Sequence, residues 1–273
     1  MKKIGLALSG GGVRAYAHLG LLSNLSLARI PVHVVSGASA GAIIGACFCA
    51  DISLDLLKNR LKKYSLFSYI KPVFPFYGLS SYKKVTKKFS ELGIPERFEE
   101  LKKPLIVVAS DLNSRSPVYF NSGSLWDALL ASMALPPLFP PVKMGDMYLV
   151  DGGITKNLPV SVLKANNVDF VIASDVNSSS RKYPNPSNVV QVTYESVTLM
   201  VQIATEEERR HADFIIDTDL KEIGFLDFEK REEVINYSYK SSYNKILELK
   251  KILEGKGYVQ SGGMGSLFVS PLS

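Results

Sequence analysis

Pro31-Val32-His33-Val34-Val35-Ser36-Gly37-Ala38-Ser39-Ala40-Gly41-Ala42-Ile43-Ile44-Gly45-Ala46 is the stretch on which the reading of the fold turns. Valines at 32, 34 and 35 predict a β-strand over 31–36, and the small and apolar residues over 40–50 predict a helix. Between them Gly37-Ala38-Ser39-Ala40-Gly41 fits G-x-S-x-G in the strand-to-helix context that a nucleophile elbow demands. Such a turn strains and exposes the serine, and its flanking glycines let neighbouring backbone approach. It also places the positive end of a helix dipole where an oxyanion would develop. The same five residues also suit a small-residue turn for close helix packing, so the motif alone leaves both readings open.

Outward from this core, a strand is expected over 3–9 and a helix over 15–27. Further strands are expected over 104–109, 118–120, 147–150, 170–174 and 214–217, interleaved with helices over 124–134, 189–212 and 230–254. Strands alternating with helices predict an α/β fold with a mostly parallel central sheet and right-handed crossovers. The chain has 273 residues and a net charge of +6, long enough to bury a core without metal or disulfide support. Its two cysteines, Cys47 and Cys49, lie within one predicted helix, as expected of buried thiols in a reducing compartment. The longest apolar stretch, 40–50, falls short of the roughly 20 residues of a membrane span. Residues 4–8 are too few for the apolar part of a signal peptide.

Charge is concentrated. Residues 58–103 hold twelve basic and four acidic side chains, a local net charge of +8, around the aromatic run Phe67, Tyr69, Phe74, Phe76 and Tyr77. Two prolines and Gly78 over 65–80 predict a structured loop or lid. Lysines flanking aromatics suit a surface that docks on anionic lipid, and they equally describe a solvated face beside a packed loop. No zinc, helix-turn-helix or aromatic-sheet motif supports a nucleic-acid partner despite the basic balance.

Two further motifs carry chemistry. Ser9-Gly10-Gly11-Gly12 follows the first predicted strand, so its backbone N–H groups can form an anion-binding nest, an oxyanion hole in an acyl-transfer enzyme. A dinucleotide loop starting at Gly10 fails at Ala15, and no P-loop occurs. For a base there are His18, His33 and His211, of which only His211 follows Asp151 as a Ser-Asp-His order requires. Asp151, in Val150-Asp151-Gly152-Gly153 at a predicted strand end, is the alternative, where the two glycines would relieve crowding at the carboxylate.

These blocks, with Gly5-Leu6-Ala7-Leu8 and Val13-Arg14 around the glycines, Ala131-Ser132-Met133-Ala134-Leu135-Pro136-Pro137-Leu138-Phe139-Pro140-Pro141, and Ile154-Thr155-Lys156-Asn157-Leu158-Pro159 after Asp151, together resemble the patatin-like phospholipases. The resemblance covers about 160 residues in four ordered blocks. It implies a three-layer α/β domain over 1–255, with 57–103 as a basic, aromatic, lid-like insertion and 256–273 as a tail. It implies lipid acyl hydrolysis by a Ser39–Asp151 dyad without catalytic histidine, metal or other cofactor. Gly10, Gly11 and Gly12 would form the oxyanion hole, with Arg14, Gly37, Gly41, Gly152 and Gly153 in support. Ala15 departs from the family's usual Arg-Gly after the third glycine. The expected partner is a lipid or ester, and the expected location is cytoplasmic, at the inner face of a membrane. A lipid or acyl-chain binding protein on the same fold is the competing expectation.

Overall fold

The structure is a computed structural model. It describes residues 2–63, 80–136, 138–178, 189–220, 223–225 and 227–260. The aromatic centre of the lid expected over 65–80, all but Ser80 itself, and most of the expected 256–273 tail therefore lie outside the described residues.

The described residues form an eight-stranded mixed sheet. Its strands are β1 (Ile4–Leu8), β2 (Val34–Ala38), β3 (Leu105–Asp111), β4 (Ser116–Phe120), β5 (Val142–Met144), β6 (Met147–Asp151), β7 (Phe170–Asp175) and β8 (Phe214–Asp217). The helices are α1 (Ala17–Leu27), α2 (Ser39–Cys49), α3 (Leu54–Lys63), α4 (Ser80–Leu92), α5 (Leu125–Ser132), α6 (Gly153–Lys156), α7 (Val160–Ala165), α8 (Val189–Arg209) and α9 (Arg231–Gly255). Strands β3-β2-β1-β7-β8 are parallel, as alternation of strands with helices requires, and apart from polar residues within β2 and at the C-terminal ends of β3, β7 and β8 they are apolar because helices cover both faces. One apolar cluster joins α1, α2 and α9 to one face, and a second joins α7 to the other. Close approach of α1 to α9 depends on Gly20, where a Cβ would stand 2.5 Å from the Tyr239 nitrogen.

The other end of the sheet departs from the parallel pattern. β4 and β6 both pair β3 antiparallel, and the β5-β6 hairpin extends the edge. Residues 107 and 108 of β3 pair both β2 and β4, and residues 109–111 pair both β4 and β6. β2 and β6 must therefore share one edge of β3, the edge opposite β4. They run toward each other along it and meet end to end, with Ala38 opposite Val108 and Asp151 opposite Ala109.

The structure moves several expected boundaries. The first helix begins as a 3-10 turn, Gly12–Tyr16, before α1. The second strand starts after Pro31, which has no N–H for a ladder, and continues through Gly37-Ala38 so that α2 begins at Ser39 itself. Around the expected insertion, Leu57, Val85, Phe89, Leu92 and Phe98 are buried in the main core. Cys47 and Cys49 are free and buried, and burial pushes the Cys47 thiol up to about 12.

Candidate active site

Ser39 adopts a φ of +53°, in the left-handed region that disfavours residues with a β-carbon. The surroundings hold it there. Its N–H donates to the Ser132 hydroxyl at the end of α5, at 2.8 Å. A Cβ on Gly37 would stand 2.8 Å from Ala42, and one on Gly41 would stand 2.5 Å from the Ser9 carbonyl oxygen. The two motif glycines are thus required by close backbone packing around the elbow.

The end-to-end meeting of β2 and β6 brings Asp151 to the serine. The Ser39 hydroxyl donates to Asp151 Oδ2 at 2.6 Å, while the Gly153 N–H donates to Oδ1 at 2.7 Å. The carboxylate is 3% exposed. Burial pushes its pKa up to about 6, against the opposing pull of the Ser39 hydroxyl and the Gly153 amide. Asp151 does lie at a strand end, but that strand runs against the parallel set, and the reversal is what points it at Ser39. Gly152 is confined more tightly than crowding at the carboxylate alone would predict, because a Cβ there would stand 2.0 Å from the Val108 carbonyl oxygen.

The glycine loop needs one correction. The Gly10 N–H already donates to the Asn157 carbonyl at 3.1 Å, so it has no free hydrogen for an oxyanion. Gly11 and Gly12 have no hydrogen-bond acceptor for their N–H groups among the described residues, and Gly11 lines the cleft above Ser39. Gly12 has φ +56°, and a Cβ there would stand 2.4 Å from the Phe225 carbonyl oxygen. Arg14 is buried and braces the loop: Nε donates to the Ile223 carbonyl and one terminal NH₂ to Asn177 Oδ1. Ala15 is buried within the 3-10 turn without disturbing these contacts.

Sequence reading missed Ser132, Asn157 and Asn177. Asn177 Nδ2 donates to the Gly10 carbonyl at 2.6 Å. Asn157 lines the cleft, and its Nδ2 is buried without an acceptor among the described residues. Each is a single polar residue in a loop or at a helix end, with no spacing to single it out. Asn157 and Ser132 carried one signal each, since both fall inside the family blocks quoted above, Asn157 six residues past Asp151.

None of the histidines hydrogen-bonds to Ser39 or Asp151. His18, on α1, is fully buried against the ends of β1 and β7: Nε2 donates to the Ser9 carbonyl and Nδ1 accepts from the Ser174 hydroxyl, both at 2.9 Å. Burial lowers its pKa to about 4, so the ring is neutral near pH 7. His33 Nδ1 accepts the Ile4 N–H. His211 is exposed beside Glu207, at the end of α8.

The site opens into a cleft lined by Leu135, Ile154, Val201 and Phe225 together with Ser39 and Asp151. Among the described residues no cluster of His, Cys, Asp and Glu is placed to hold a metal, and no helix is long and apolar enough to cross a membrane. The arrangement can activate a hydroxyl, hold an anionic intermediate beside a helix N-terminus and accommodate an apolar chain.

A three-layer α/β sheet with a buried Ser–Asp pair at a strand-to-helix elbow defines the class of protein. The chain belongs to the patatin-like phospholipase family, whose sequence model matches residues 6–164. It is 32% identical over 184 residues to human patatin-like phospholipase domain-containing protein 6, which covers 64% of this chain and 13% of that protein. It is 31% identical over 189 residues to lysophospholipase NTE1 of Scheffersomyces stipitis, covering 66% of this chain and 12% of that one. The chain therefore spans about one-eighth of the length of these relatives. Among solved structures, VipD from Legionella pneumophila superposes over 92% of this chain and 67% of its own, with a TM-score of 0.52 and 16% identity.

Proposed function

We propose that the chain is a lipid acyl hydrolase in which Ser39 attacks an ester carbonyl and Asp151 handles the proton. The observation that carries this reading is the 2.6 Å hydrogen bond from a strained serine to a buried aspartate at the floor of an apolar cleft. The names of the relatives reported above, a phospholipase domain protein and a lysophospholipase, support an ester of a lipid as substrate.

As the Ser39 oxygen bonds to the carbonyl carbon, its proton passes to Asp151 Oδ2. A carboxylate near 6 is far weaker as a base than an alkoxide, so transfer accompanies attack and does not precede it. The Gly11 and Gly12 N–H groups and the α2 N-terminus stabilise the tetrahedral oxyanion; one such donor lowers a barrier by on the order of 3 kcal/mol. Collapse expels the alcohol, which takes the proton from Asp151. Water then attacks the acyl-serine, giving its proton to Asp151, and the departing acid leaves Ser39 reprotonated.

Ser39→Ala and Asp151→Asn are each expected to abolish hydrolysis of a short p-nitrophenyl ester, and a fluorophosphonate probe is expected to label wild type at Ser39. A protein that only binds lipid would escape labelling. The basic residues of 57–103, with exposed Lys83, Lys84 and Lys87 on α4, serve in this reading as the contact to an anionic membrane surface, the inner face of a cell membrane. Sedimentation with vesicles should then rise with anionic lipid content and fall with salt.

A further inference from the structure

Helix α8 is apolar on the side that should be polar. Val189, Val192, Leu199, Met200 and Ile203 are 80%, 47%, 58%, 65% and 67% exposed. With exposed Ser196 they fall within a single arc of about 100° of the helix circumference, the width of a core-facing stripe. The Ser196 hydroxyl donates to the Val192 carbonyl of the same helix, so even the polar member of the arc has turned its hydrogen bond inward. The other side is occupied: Val197 and Val201 line the cleft above Ser39, and Thr205 and Glu208 are buried. Its C-terminal end is fixed to the body, where Glu208 pairs with Lys156 and accepts from Ser161, and Arg209 bridges Asp175 and Asp217. The helix is therefore a wall with the catalytic cleft on one side and, among the described residues, an exposed apolar face on the other.

We propose that this outer face of α8 docks into the apolar layer of a lipid surface. Two features select lipid over other occupants. The face is continuous, around one helix, with the lining of the cleft that receives the substrate, so a lipid surface seated on it lies one helix thickness from Ser39. Residues 189–205 contain one charged side chain, Glu195, and no lysine or arginine, which suits the acyl region of a lipid layer. The choice of lipid rests on the lipid-substrate reading, while the surface stands apart from the basic segment 57–103: a basic face is attracted to anionic headgroups, whereas this one is indifferent to headgroup charge.

The test is the triple variant Leu199→Ser, Met200→Ser, Ile203→Ser, measured against wild type on vesicles of zwitterionic phosphatidylcholine in high salt. Partition onto vesicles is expected to fall at least about tenfold, since three buried aliphatic side chains are removed from the contact. Hydrolysis of vesicle-borne lipid should fall with it, while hydrolysis of a monomeric p-nitrophenyl ester stays as in wild type. A second probe survives any folding defect of the triple variant: Leu199→Cys carrying an environment-sensitive fluorophore, with Cys47 and Cys49 shielded by burial. Its emission should shift to the blue on adding vesicles. Unchanged partition, an unshifted probe, or a wild-type dimer that the triple variant splits while vesicle binding persists would overturn the proposal; the last outcome would make the face a contact between copies. A wild type without esterase activity whose vesicle binding still depends on the three residues would overturn the hydrolase reading and uphold the docking face.

Discussion

In the proposed mechanism the Asp151 carboxyl sets the pH behaviour: it accepts the proton only when ionised, so kcat/KM for a neutral ester is expected to rise along an acid limb centred near pH 6 and to level off above it. Stability moves the other way. The native carboxyl holds its proton up to about 6, whereas the unfolded chain loses it near 3.9. The native state thus binds the extra proton between those values, and the contribution of this group to stability falls across that window. The loss is on the order of 3 kcal/mol by pH 7. Thermal unfolding of Asp151→Asn against wild type from pH 4 to 8 should show the gap moving in favour of the variant as pH rises. At the same scale, alanine at His33 or His211 is expected to leave ester hydrolysis intact; His18→Ala should lower the melting temperature, since it strips Ser9 and Ser174 of a buried partner, without removing chemistry. Loss of activity in a folded His211→Ala protein would restore a triad. Asn157, whose buried Nδ2 lacks an acceptor among the described residues, is expected to matter to kcat more than to the melting temperature on substitution by leucine.

Among the elements, the end-on meeting of β2 and β6 is the most exacting. Gly152→Ala would drive a methyl into the Val108 carbonyl at the point where the two strands abut. A loss of about 3 kcal/mol or failure to fold is expected by denaturant titration, because backbone on both sides cannot yield. Arg209→Ala tests the attachment of α8: it leaves Asp175 buried without its cation, a change that costs about 3 kcal/mol and should open the helix C-terminus to protease. The elbow, the glycine loop and Asp151 are legible in the amino-acid sequence because each is a short motif whose chemistry is local. The parallel strands are legible there too, because buried strands carry unbroken apolar runs. The antiparallel edge is not: Met147–Asp151 reads the same in either direction, and its direction is decided by the route of the chain through α5 and the β5 hairpin. Gly10 is misread as a donor for the same reason, since the carbonyl that occupies its amide comes from Asn157, far along the chain.

At the scale of the whole molecule, the two proposed lipid-facing features are distinguishable by salt. Binding through the basic residues of 57–103 should weaken as ionic strength rises, while binding through α8 should persist, so vesicle partition of wild type is expected to fall to a plateau above zero. The sheet order carries a different consequence. β1, which leaves the ribosome ahead of every other strand described, is the middle strand of the parallel set, with β2 on one side and β7 on the other. Its second neighbour begins at Phe170, which follows after roughly 10–30 s of synthesis at typical elongation rates. For that interval an entirely apolar strand has one edge bare in the cell, which makes the nascent chain a natural client for holding chaperones and marks the Ile4–Leu8 edge as the place where misassembly would begin.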